Sequence, residues 1–183
     1  MTTAVAPALT TFAIDPIHTE AGFAVKHLMI STVRGRFGDV KGQVVFDPSD
    51  LTTGSVDVTI ATATIDTRDA QRDAHLRSAD FFDVEQFPVM TFTSRRIQQG
   101  KGEAFQVVGD LTIKGVTREV VLDAENHGLQ KDPWGGERAG FSAKTVINRK
   151  DFGLGWNVAL ETGGILVGED VKINLDIELI KAQ

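Results

Sequence analysis

Four histidines, His18, His27, His75 and His127, are the side chains best suited to hold a metal or move a proton. A zinc site needs three or four converging ligands. No two of these histidines stand in an HxH or HxxxH arrangement, so each reads as a hydrogen-bonded or surface histidine, and no metal ligand is assigned. Arg68, Asp69, Arg72, Asp73, His75 and Arg77 crowd one short segment. Asp69 and Asp73 are four apart, as are Arg68 and Arg72, so on a helix each pair shares a face. Paired carboxylates can do acid–base work or bind a metal. A solvated, salt-bridged helix face is the more common meaning of such a cluster, and an Arg72–Asp73 lock onto the barrel is a third; the structural readings are favoured over catalysis. There is no GxSxG, P-loop or GxGxxG, which removes the common nucleophile and phosphate-cradle signatures. No catalytic residue is assigned, and an enzyme using His27, His75, Asp69 or Asp73 is kept only as a lesser alternative.

His27 falls on one strand face with Phe23 and Val25. Its ring nitrogens need partners. A satisfied core histidine is the favoured reading, and a polar contact inside a pocket is the other.

The elements that would position these residues are strands. In residues 170–180 Val171, Ile173, Leu175, Ile177 and Leu179 alternate with Lys172, Asn174, Asp176 and Glu178. Strand side chains alternate faces, so one face is dry and the other wet. Phe12 and Ile14 open a strand that stops at Asp15-Pro16. Residues 32–47 read as a hairpin or bent strand, with Gly35, Gly38 and Gly42 as candidate bends or bulges. Val56, Val58 and Ile60, then Met90 and Phe92, then Leu111 and Ile113, then Leu122, then Phe141 and Ile147 repeat the alternation. Residues 68–79 lack glycine and proline and read as one helix, capped by Asp66 or Thr67. Residues 126–137 read as a loop and 151–168 as an irregular excursion. Eight or nine antiparallel strands plus a helix favour a closed barrel, which can hold an apolar ligand.

The totals narrow the classes. At 183 residues one domain over 10–183 is expected, behind a loose tail over 1–9. The net charge of −6 argues against nucleic-acid partners and lends no support to docking on anionic lipid. The absence of cysteine removes disulfides, iron–sulfur clusters and thiolate zinc sites. No run approaches the length of a membrane span, so no integral membrane association is expected. The start MTTAVAPALTTF lacks a basic n-region and suggests a cytoplasmic protein. Eleven phenylalanines with no tyrosine tilt the aromatic inventory toward dry packing or a lipid-like ligand.

The run RDAHLRSADFFDVEQFPVMTF, residues 72–92, resembles the signature of the YceI-like family of polyisoprenoid-binding proteins. IDPIHTEAGFAVKHL at 14–28, VRGRF at 33–37, GDLTIKGVTREVVLD at 109–123 and FSAKTVINRKDFG at 141–153 agree in order. The resemblance implies an extended, lipocalin-like, eight-stranded antiparallel barrel with one short helix. It implies a tunnel that binds, carries or stores a polyisoprenoid or similar long-chain lipid, with no other cofactor and no enzymatic activity. A homodimer is also implied. Alternatives are a binder of other amphiphiles, such as a fatty amide, quinone or drug, or a ligand-free interaction module. Face parity nominates Phe23, Val25, His27, Val58, Ile60, Met90, Phe92, Leu111, Ile113, Leu122, Phe141, Ile147, Ile173, Leu175 and Ile177 as ligand-binding, with Phe81 and Phe82 closing one end.

Overall fold

The computed structural model describes residues 6 and 8–183. The expected tail over 1–9 falls mostly on 1–5 and 7, outside the described residues. Within it, Ala8 N–H donates to Asp47 Oδ2 at 2.8 Å, so position 8 is tied to the fold.

Ten strand segments form one antiparallel sheet. They are β1 (Thr10–Ile14), β2 (Glu20–His27), β3 (Ser31–Phe37), β4 (Val40–Asp47), β5 (Asp50–Ala61), β6 (Val89–Gln99), β7 (Ala104–Ile113), β8 (Val116–Lys131), β9 (Glu137–Asn148) and β10 (Val167–Lys181). β1 bridges β4 and β10, which closes a ring of eight: β1, β4 to β10 and back. The β2–β3 hairpin hangs from the remaining edge of β10. β1 and β2 run in succession along β10, with Ile14 opposite Leu179 and Glu20 opposite Asp176. The interruption is Asp15-Pro16, where proline removes a ladder donor. β3 and β4 are separated only by Gly38-Asp39, the bend expected in residues 32–47, where Asp39 adopts a φ of 47°.

Past that bend β3 does not pair with β5. Residues 62–82, with helix α1 (Ala70–Arg77), follow β5, and Arg36 forms a bridge with Asp66. The helix is shorter than expected, and its N-cap is Asp69, whose side chain accepts from Arg72 N–H at 2.9 Å. The earlier candidates are occupied elsewhere. Asp66 accepts from Arg68 N–H at 2.9 Å, and the Thr67 hydroxyl donates to Asp73 at 2.6 Å.

Residues 126–137 are a second correction. β8 continues to Lys131 and β9 starts at Glu137, so only 132–136 turn. A bulge between Asn126 and Gly128 disguises the alternation there. Residues 149–166 are irregular apart from a short 3-10 turn at Arg149–Phe152, close to the expected excursion.

Along β10 outward positions carry Lys172, Asn174 and Asp176 while Ile173, Leu175 and Ile177 point in. A membrane-spanning barrel has the reverse pattern, apolar outside. No helix among the described residues is long and apolar enough to cross a membrane.

Candidate ligand cavity

The inward face changes character along the barrel axis. At the end bearing the β4–β5, β6–β7 and β8–β9 turns, rings fill the interior. Phe12 stacks on Phe46 at 4.8 Å between centroids, and Phe141 packs edge-on against both Phe46 and Phe105 at 5.7 and 5.8 Å. Leu179, Ala139, Val107 and Ala124 complete this plug, all buried. Toward the other end the same strands enclose a cavity of about 830 Å³.

Its wall is mainly apolar. β5 gives Val56, Val58 and Ile60; β6 gives Met90 and Phe92; β7 gives Leu111 and Ile113; β8 gives Val120 and Leu122. β9 gives Thr145 and Ile147, and β10 gives Val171, Ile173, Leu175 and Ile177. Phe23, Val25 and His27 line it from β2, and Phe81 and Phe82 from the segment after α1. Of the residues nominated by parity, Phe141 is the one placed elsewhere, in the plug. It shares its strand face with Ile147 but sits six residues nearer the filled end, a coordinate that alternation does not encode.

Two glycines make room for cavity rings. A Cβ on Gly109 would come within 2.6 Å of the Phe92 ring, and one on Gly35 would overlap the Phe23 ring. Strand glycines often mark such close approach.

The exposed members of the wall are Glu20, Lys26, Asp69, Gln71 and Arg72. They mark where the cavity reaches the surface, with β2 and α1 at its edge. The polar helix cluster is largely absorbed in holding α1 down. Asp73 accepts from Thr67 N–H and Oγ1–H at 2.9 and 2.6 Å. Arg72 donates to Thr67 Oγ1 and O at 2.7 and 2.8 Å, and Arg77 to Ala63 O and Ile65 O. His75 Nε2 lies 2.8 Å from Asp80 Oδ2, and its ring packs edge-on against Phe81 and Trp156. This is the locking arrangement, extended to Arg77. His27 is different: it lines the cavity, and its ring has no hydrogen-bond partner among the described residues.

Sequence reasoning missed the wall contributed by the excursion. Arg149 is buried, and its guanidinium donates to Gly168 O, Leu154 O, Trp156 O and Val167 O at 2.6–3.2 Å. Burial lowers its pKa, with the field of Glu169 opposing. The arginine fixes Leu154 and Trp156 against the cavity. No periodic signal marks such residues. Val56, Val120 and Val171 were also missed, although parity with Val58, Leu122 and Ile173 carried that signal.

Asp15, His18 and Glu178 form the one group spaced as metal ligands among the described residues. A cation already sits there: Arg138 Nη1 donates to Asp15 Oδ2 at 2.8 Å and to Glu178 Oε1, and its Nε to Asp132 Oδ2 at 3.1 Å. Burial raises the Asp15 carboxyl, but hydrogen bonds from His18, Arg138 and Ile17 outweigh it and bring its pKa down to about 2. The cluster braces the β1–β2 interruption.

The YceI-like domain model matches residues 12–179. The chain belongs to the YceI-like family. A UPF0312 protein of Staphylococcus epidermidis is 42% identical over 171 residues, covering 93% of this chain and 97% of that one. A Staphylococcus aureus relative is 39% identical over the same length and shares. Among solved structures, Burkholderia cenocepacia BcnA aligns at 26% identity and TM-score 0.79, covering 90% of this chain and 98% of its own. The Campylobacter jejuni YCEI protein aligns at 35% identity and TM-score 0.73, covering 86% and 90%. A polyisoprenoid binding domain from Saccharophagus degradans aligns at 14% identity and TM-score 0.70, covering 94% and 99%, a likeness of fold. This YceI-like chain is therefore an eight-stranded antiparallel barrel of lipocalin-like kind.

Proposed function

We propose that this YceI-like protein binds and carries a polyisoprenoid or similar long-chain lipid, with the tail in the barrel cavity and the polar head at the surface edge near β2 and α1. The observation that carries the reading is the cavity of about 830 Å³ behind a mainly apolar wall. Ligand cavities span about 300–1,000 Å³, and an apolar wall with few polar groups suits one long apolar guest. Each methylene taken from water contributes ~0.8 kcal/mol, offset by the cost of association. The polyisoprenoid binding domain of S. degradans, similar in fold, supports the same class of guest. His27 is the proposed polar contact to the head group, since its ring is unpartnered and faces the cavity. The homodimer belongs to this proposal on the family resemblance, and light scattering of the purified chain tests it.

Mass spectrometry of an organic extract of the purified protein, beside uptake of an added isoprenoid quinone, tests the reading. A stoichiometric long-chain lipid is the expected result. Val58→Trp and Leu111→Trp place an indole in the cavity, and they should keep the barrel's circular dichroism while cutting uptake about tenfold or more. Uptake unchanged by both substitutions, or a clean apo protein that takes up no lipid, would remove the cavity from the function. His27→Ala should weaken a guest with a polar head about fivefold, the worth of one hydrogen bond, and leave a plain hydrocarbon unaffected.

A further inference from the structure

The turn joining β2 to β3 runs against its own geometry. Ile30 N–H donates to His27 O at 3.2 Å, and the two central residues, Leu28 and Met29, have φ of 52° and 60°. Positive φ at both is the pattern of a type I′ turn, which favours Asn-Gly or Asp-Gly. Here bulky apolar side chains occupy those left-handed positions. Leu28 is half-buried, but Met29 is 60% exposed and the following Ile30 83%, so the tip itself gains little packing. Exposed Val158 continues the apolar edge through backbone bonds. Leu28 N–H donates to Leu166 O at 2.8 Å, and Leu166 N–H to Val158 O at 3.0 Å. A local rule broken at an exposed tip for little packing gain points to function.

Cations outnumber acids behind this tip. Lys172, Ala24 and Arg34 lie in register across β10, β2 and β3, and Lys26 opposite Thr32 stands one rung nearer the tip. Lys26, Arg34 and Lys172 are exposed, and none of them is ion-paired among the described residues. Asp170 is the acidic neighbour, two residues from Lys172. The face is therefore positive on a chain whose net charge is −6. Apolar side chains presented beside cations suit the interface of an anionic bilayer. Lys26 also belongs to the cavity wall where it reaches the surface.

We propose that the β2–β3 hairpin docks this protein on an anionic phospholipid surface. Met29 and Ile30 enter the interface, and Lys26, Arg34 and Lys172 meet headgroup phosphates. The cavity edge at Lys26 and His27 then faces the bilayer. The docking stands on the hairpin itself; its purpose, loading or release of a lipid, rests on the reading above. A second copy of this chain, itself acidic overall, fits the unpaired cations less well than a phosphate-rich surface.

Flotation with phosphatidylcholine vesicles containing roughly one-third phosphatidylglycerol, against pure phosphatidylcholine, tests it at low ionic strength. The protein should float with the anionic vesicles, and Ile30→Asp should lower binding about tenfold or more. Lys26→Ala and Arg34→Ala should each lower it about fivefold, the equivalent of ~1 kcal/mol per surface cation. Trp134→Ser, equally exposed at the plugged end, should change nothing. Thermal unfolding separates lost docking from lost fold. No flotation, or flotation indifferent to Ile30→Asp, overturns the proposal. So does self-association abolished by Ile30→Asp without any vesicle binding. Val58→Trp should cut lipid uptake about tenfold or more yet float normally. A wild-type protein that floats but takes up no lipid would leave the docking standing and sink the cavity reading.

Discussion

Leu175 and Leu179 lie on the same strand, point the same way and are one residue type, yet they occupy different physical environments. Leu179 is 0% exposed, in the end plugged by Phe12, Phe46, Phe105 and Phe141. Leu175 is half-buried and borders the cavity. One barrel thus contains a half filled with interlocked rings and buried side chains and a half whose lining lacks neighbours on its inner side. The plug stabilises the ring, and the hollow half keeps apolar surface available to a guest. The lesson is that inward-facing and buried are separate properties. A side chain in the hollow half gains its remaining contacts only when something enters.

The sharpest way to break this comparison is the matched pair of substitutions. Leu179→Ala should cost about 3–5 kcal/mol in urea unfolding, the range for a fully packed leucine. Leu175→Ala should cost about 1 kcal/mol or less, because part of its surface already faces a void, and should weaken lipid uptake instead. Equal destabilisation would mean that the two halves are packed alike. Next in size, Arg138→Met should destabilise by about 2 kcal/mol, since it strips a cation from the partly buried Asp15 and Glu178 carboxylates, with lipid uptake by the folded fraction preserved. The smallest expected effect is the pH dependence of the same brace. Asp15 titrates at about 2 in the folded chain, below its unfolded value near 3.8. Its contribution, on the order of 1–2 kcal/mol, is therefore present above about pH 4 and fades as pH falls toward 2. Asp15→Asn should flatten the acid limb of a stability–pH curve over that window. An unaltered limb would show that the brace is not coupled to folding.

Legibility in the sequence followed the regularity of the backbone. Strand existence and the bend near Gly38 could be read from alternation and turn residues. Bulges defeated the same reasoning. On β6 the inward positions pass from Phe92 to Ile97 because the register shifts between Ser94 and Arg96. The bulge before Gly128 likewise hid the last third of β8. Arg149 and Trp156 carried no period at all, since the guanidinium joins two carbonyls of an irregular segment, Leu154 O and Trp156 O, to two at the start of β10, Val167 O and Gly168 O.

By itself the sequence determined which faces are dry, because side chains alternate across a strand wherever the ladder is regular. It also carried the family, in residues 72–92 and the segments around them. Tertiary structure alone decided where the dry faces meet and where they stand apart. Phe141 and Ile147 have the same parity, and only the ring's closure through β1 sets one in a plug and the other on a cavity wall. It also decided that an acidic chain presents a basic, apolar-tipped hairpin, because charge is summed over the sequence but felt locally, within about a Debye length of ~10 Å.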